Sequence, residues 1–303
     1  MALNFNSRVS FVYPSGFQSL HANFHADETG FYFANAGEVT AFNHDGTRNT
    51  NADVSLQNAP KSERVWGFTK DTASQWVVLT RQTGTGTIGR VHFYSQTGSA
   101  VRVFDVPDVI TGINNVATRF RAPKVIAESE GNYYVRVVRA VVGNMRFIKF
   151  DESGQIQDDD LVVDNADITT LSDAASDGSN VLYILHQGQN RVYAVDTANF
   201  REISSQRTDL DSRNTGPFGL SIASDTAYVA DTGGFIYNYE GAVVVKSTEA
   251  RNEGRVGLPL LQLWAVAQRR QQSFNRRDEN ERRRRGLPSV SYTHLTLPTK
   301  RIV

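Results

Sequence analysis

The sequence predicts an all-β chain: a β-propeller of five recognisable four-stranded blades, followed by an arginine-rich tail. Three observations carry this. A unit of strand, turn, strand, loop, strand, Gly/Asp turn and strand recurs five times within residues 1–250. Apolar residues within each unit alternate with period two, the mark of half-buried strands. No helical pattern alternates with the strands, so a parallel α/β sheet has no crossovers. Repeats of about 40–50 residues with four short strands each mean propeller blades.

The units follow in order. FYFANAGEVTAFNHDGT gives strands near 30–34 and 38–43 with a turn at His44-Asp45-Gly46. SQWVVLTR (75–82) and GRVHFYSQTG form the second unit, NYYVRVVRAVV (132–142) and NMRFIKFDESG the third. NVLYILHQGQNRVYAVDTAN is the fourth and DTAYVADTGGFIYNYEG the fifth. The turn markers Gly46, Gly98, Gly154, Asn199 and Gly241 are spaced by 52, 56, 45 and 42 residues. Gly or Asn there supplies the positive φ of a tight connection. The large residues closing the preceding strands, Phe42, Tyr94, Phe150, Val195 and Tyr239, are expected to pack between neighbouring sheets. An opening strand near 8–13 is placed to complete the last blade, whether the ring closes with five blades or more.

Zero cysteines exclude a disulfide framework, thiolate zinc and a cysteine nucleophile. The net charge is zero but divided: residues 251–303 hold 12 of the 32 bases and 4 of the 32 acids, so they carry +8 and residues 1–250 carry −8. The acidic body argues against nucleic acid as a partner. Residues 268–286, QRRQQSFNRRDENERRRRG, admit three readings: a phosphate-gripping tail, a solvated helix after LPLLQLWAVA, or an out-of-frame stretch. No apolar run reaches the ~20 residues of a membrane span, so no transmembrane segment is expected. The opening MALNFNSRVSFVYPSGF lacks the apolar core of a signal peptide.

The fifth unit, 216–244, resembles an NHL-type blade through Pro217, Gly219-Leu220, Tyr228-Val229-Ala230-Asp231-Thr232-Gly233 and Ile236. The fourth is similar to YVTN-type blades through Leu182-Tyr183-Ile184, Asn190-Arg191-Val192 and Val195-Asp196-Thr197. The first, through Val39-Thr40-Ala41-Phe42, Asp45-Gly46-Thr47-Arg48 and Val54-Ser55-Leu56, looks like the propeller repeats of large bacterial surface proteins. Together the similarity covers about residues 20–248 and implies the fold, which hosts unrelated activities. None of Trp66, Trp76 and Trp264 precedes an Asp, so the WD signature is absent. Residues 290–299 (VSYTHLTLPT) resemble the conceptual translation of a transposase-library sequencing adapter. The expected domains are therefore 1–250 as propeller, 251–289 as Arg-rich tail and 290–303 as adapter-derived, with the native C-terminus missing.

In a propeller, the loops between second and third strands and between blades open on one face around the axis. That places Asn35-Ala36-Gly37-Glu38, the Thr85 loop, the segment from His186 to Arg191, and Asp231-Thr232-Gly233 on that face. His186, Asn190 and Asp231 are the ligand-binding candidates; the competing reading is a set of polar turn residues. His21 and His25, four apart in a strand, are separated by about 13 Å, too far to share a metal ion. Asp158-Asp159-Asp160 reads as a solvated outer turn rather than a calcium loop. Gly84-Thr85-Gly86-Thr87 lacks the following Gly-Lys-Ser/Thr of a phosphate loop. No Gly-x-Ser-x-Gly occurs.

Two functions stand against each other. The first is a non-enzymatic binding or scaffold module for a protein or glycan ligand, without cofactor, from a bacterial surface or secreted repeat protein. The second is a calcium-dependent hydrolase of the lactonase or arylesterase kind, built on His186, Asn190 and Asp231. A secreted or cell-surface location is expected before a cytoplasmic one.

Overall fold

The computed structural model describes residues 3–13, 23–35, 37–60, 63–82, 89–106, 109–111, 117–139, 145–165 and 172–241. The chain divides into two units, Met1–Lys246 and Ser247–Val303. The expectations for the Arg-rich tail, the adapter-like end, His21 and the Thr85 loop fall outside the described residues.

The first unit is a five-bladed propeller of antiparallel sheets. From the inner strand outward, the first blade is Phe24–Asp27, Gly30–Ala34, Glu38–Phe42 and Val54–Ser55. The second is Glu63–Lys70, Trp76–Gln82, Gly89–Tyr94 and Ala100–Val106. The third is Ala117–Ser129, Asn132–Arg139, Arg146–Phe150 and Ile156–Val162, with short Val109–Thr111 paired beside the start of its inner strand. The fourth is Asp173–Ser176, Val181–His186 and Arg191–Asp196, its outer place shared by Arg201–Glu202 and Thr208–Asp209. The fifth is Pro217–Ala223, Thr226–Asp231 and Phe235–Glu240, and its outer strand is the N-terminal Asn4–Ser10. The inner strands touch in a ring that closes where the fifth blade meets the first.

Alternation explains the ring. In Val181–His186, Val181, Tyr183 and Leu185 pack against the fifth blade, while Leu182 and Ile184 pack against the third. Both faces of a blade are thus buried, which is why its middle strands read as near-continuous apolar runs. Five hydrophobic clusters result, one per blade junction. Phe42, Tyr94, Phe150, Val195 and Tyr239 are all buried, each in a different cluster. Each fully buried large side chain contributes about 1.5–3 kcal/mol.

The third–fourth turns repeat one seating. Gly46, Gly98 and Gly154 have φ of +83°, +84° and +82°. A Cβ on Gly46 would collide with the Ser10 carbonyl oxygen and one on Gly98 with that of Ser55, both on the outer strand of the preceding blade. In the third blade the Gly154 turn packs on the Phe104 ring of the second.

Several expectations need correction. The closing strand is Asn4–Ser10, shifted toward the N-terminus from the 8–13 expected. At the turn after the third strand of the fourth blade the left-handed residue is Phe200 (φ 53°), not Asn199. Asn199 instead accepts the Arg201 N–H (2.9 Å) and donates to Asp196 (3.0 Å). The side chain of Phe200 is buried in the third–fourth core, and that packing offsets the roughly 1 kcal/mol cost of the conformation. Residues 158–160 lie within the edge strand Ile156–Val162, not in a turn; charge on an edge blocks further strand pairing.

Candidate functional site

Because adjacent strands are antiparallel, the inner strands begin on the face where second–third loops and inter-blade connections open, here the entry face. They end on the opposite, exit face. The three sequence candidates sit in entry-face loops of two blades. His186 ends the second strand of the fourth blade, and its Nδ1 accepts the Gln189 N–H at 3.2 Å. Burial lowers its pKa, and the Arg191 charge adds to that. Asn190 takes the left-handed conformation (φ 49°); its N–H donates to the Gln187 carbonyl at 3.0 Å. Asp231 is 1% exposed and accepts the N–H groups of Gly216 (2.7 Å) and Gly233 (2.6 Å). Asn35 does the same in the first blade, accepting from Gly37 (2.9 Å) and Glu38 (3.0 Å). At one place in three blades, then, a polar side chain accepts the backbone N–H two or three residues on and fixes the loop.

The inner strands build a different site at their C-terminal ends, on the exit face. A cavity of about 150 Å³ there is lined by His25, Lys70, Asp71, Glu128, Ser176 and Ser221, among others, with all five blades contributing. It shares His25, Lys70, Asp71 and Ile222 with a wider pocket of about 370 Å³ that adds Asp27, Glu28 and Ser224. The Lys70 ammonium donates to Asp27 at 2.8 Å and lies 4.9 Å from the Trp76 ring centre. Burial works to raise the Asp27 pKa, but the Lys70 and Thr29 hydrogen bonds outweigh it and hold the group below its usual value. Burial drives His25 down to about 4, with Lys70 reinforcing and Asp27 opposing. Asp71 accepts from Gln75 N–H (2.7 Å) and the Tyr133 hydroxyl (3.1 Å). Ser221 accepts the Ala26 N–H at 2.9 Å, tying the fifth blade to the first.

At the entry end of the axis Asp173 is buried, its carboxyl accepting from Ala174 and Leu220 N–H, both at 2.8 Å. Burial raises its pKa well above the usual carboxyl value, those two bonds opposing. Among the described residues no three His, Cys, Asp or Glu side chains are grouped to hold a metal ion, and no helix is long and apolar enough to cross a membrane.

Sequence reasoning missed the exit-face group. Lys70 ends the inner strand of its blade and Asp71 follows it, while Glu128 and His25 lie one and two residues before the ends of theirs. The signal was therefore positional, a polar residue recurring near the end of each inner strand. His25 was weighed only as a partner for His21.

No protein-family model matches this chain and no curated protein matches it in sequence. Solved structures do. It is similar to a glutaminyl cyclase from Myxococcus xanthus, at 8% identity and a TM-score of 0.51, over 79% of this chain and 96% of that one. It is also similar to the calcium-binding protein regucalcin from Agrobacterium tumefaciens, at 13% identity and a TM-score of 0.43 over 72% and 76%. A third is the Pan2 WD40 domain of Neurospora crassa, at 10% identity and a TM-score of 0.39 over 72% and 74%. The chain is a β-propeller; enzymes and binding domains alike share this architecture.

Proposed function

We propose that this propeller is a non-enzymatic binding module of the NHL/YVTN repeat type that engages a protein or glycan ligand through its entry-face loops, outside the cell or at its surface. The observation that carries this is the way His186 and Asp231 are used. Their acceptor atoms hold loop backbone (3.2 Å to Gln189 N; 2.7 and 2.6 Å to Gly216 and Gly233 N). Exposed Gln187, Gly188, Thr232 and Gly233 sit on the loops so fixed. Loops ordered before contact lose little entropy on binding, which favours affinity. The test is a panel of purified glycans and candidate proteins titrated against the full chain, alongside lactone, phosphoester and arylester substrates with and without calcium. Saturable binding that Thr232→Ala or Gln187→Ala weakens supports the reading. Calcium-dependent turnover would sink it in favour of the hydrolase. The exit-face cavity, with His25, Lys70, Asp71 and Glu128 around it, is where such turnover would then be sought, by His25→Phe and Glu128→Gln variants.

A further inference from the structure

Six arginines of the propeller are paired with acids. Arg48, Arg90, Arg191, Arg201, Arg207 and Arg213 each lie within ion-pair distance of an acid. Arg64 and Arg81 have no such partner among the described residues. They face each other as Cα partners across the inner and second strands of the second blade, at the entry face. Like charges directly opposite in a sheet are destabilising. Arg81 follows Val77 and Leu79 on the side of its strand that packs toward the third blade, so both guanidiniums belong to the groove between these blades. The acid next in sequence, Glu63, is engaged elsewhere, by Arg90 at 2.9 Å and by Thr80.

The groove is built rather than incidental. The Arg81 guanidinium lies over the Trp66 ring at 3.8 Å, and its Nη1 is buried with no hydrogen-bond partner among the described residues. Burial lowers the Arg81 pKa, and the Arg64 charge lowers it further, so the fold keeps this cation against two opposing effects. The two blades are pinned side by side at this height: a Cβ on Gly67 would sit 2.6 Å from the Ile126 nitrogen. A guanidinium fork held rigid on an aromatic face, with donors unspent, is the arrangement that recognises planar or tetrahedral oxyanions.

We propose that the groove between the second and third blades binds an oxyanion group of a ligand (sulfate, phosphate or carboxylate) through the paired donors of Arg64 and Arg81, with Trp66 supporting the latter. This site is separate from the loops of the fourth and fifth blades, and either can fail without the other.

The test titrates the full chain at low ionic strength with four probes: inorganic sulfate, inorganic phosphate, a sulfated oligosaccharide and its uncharged counterpart. Arg64→Gln and Arg81→Gln, singly and together, are compared with Arg213→Gln, which loses an ion-paired arginine outside the groove. The expected result is saturable binding of the charged probes, none of the uncharged one, at least tenfold weaker binding in the double variant, and no change in Arg213→Gln. Sulfated sugar binding far more tightly than the free ions identifies the anion as part of a glycan; equal affinities identify a site for the small anion itself. Equal affinity of the wild-type and double variants, or no binding of any charged probe, overturns the proposal. Arg64 is exposed, so the single Arg64→Gln variant carries the test should the double variant misfold, and for it at least a threefold loss is expected.

Discussion

Asp231→Ala strands two N–H groups, of Gly216 and Gly233, that its carboxylate now accepts. An unsatisfied buried donor costs about 1–3 kcal/mol, so urea unfolding is expected to show a loss of about 2–4 kcal/mol. Asp231→Asn keeps one acceptor and is expected to lose less. Unchanged stability in Asp231→Ala would mean that the loop does not depend on this carboxylate. His25 sets a pH dependence. Its folded pKa, lowered by burial to about 4, lies below the ordinary 6.5. Between those values the unfolded chain binds a proton that the native state refuses, so stability falls as pH drops from 6.5 toward 4. Asp173 acts in the opposite sense. Raised above its usual 3.8, it holds a proton in the native state that the unfolded chain has released, and so loses its contribution as pH rises. His25→Phe is expected to remove a loss of about 2–3 kcal/mol from the acid limb, read from unfolding midpoints between pH 7 and 4. An unchanged acid limb would show that the His25 pKa is ordinary.

Turns and strands show where sequence reading reached and where it stopped. Gly98→Ala must hold alanine at φ +84° and drive its Cβ into the Ser55 carbonyl of the neighbouring blade. Gly131, at φ +74°, would meet only the flexible Glu152 carboxylate, at 3.0 Å. Thermal unfolding is expected to separate the two, with about 1 kcal/mol lost at Gly131→Ala and more than about 2 kcal/mol at Gly98→Ala. Blade strands were legible because period-two alternation and glycine turns are local properties. The left-handed residue at the turn after the fourth blade's third strand was not, since Phe200 is held there by a contact with another sheet. The same limit explains the site. His186, Asn190 and Asp231 lie in the entry-face loops where the strand pattern put them, yet the use of His186 and Asp231 as backbone acceptors depends on three-dimensional proximity. The exit-face cavity needs five segments from Phe24 to Ile222 brought together, and no single segment announces that.

At the scale of the whole ring, stability hangs on one junction. The N-terminal strand pairs with Phe235–Glu240 from Asn4↔Glu240 to Ser10↔Phe235. Leu3 and Phe5 also pack into the core between the fourth and fifth blades. Removing residues 1–10 bares an edge and opens that core, so the truncated chain is expected to lose its cooperative thermal transition and to associate in gel filtration. A synthetic peptide of residues 1–12 added in trans is expected to restore the transition. Survival of a sharp, monomeric transition without it would show that the ring does not need this strand.

The same closure ties folding to the ribosome. Asn4–Ser10 is made more than two hundred residues before Phe235–Glu240. At cellular synthesis rates that is an interval on the order of tens of seconds. Through all of it the nascent chain carries one strand awaiting its partner and a growing row of blades that is not yet a circle. Native stability offers no protection then. The yield of folded protein depends on how fast translation proceeds and on what shields the waiting strand, and synonymous codon changes that slow synthesis between the first and fifth blades should lower that yield without altering the finished protein.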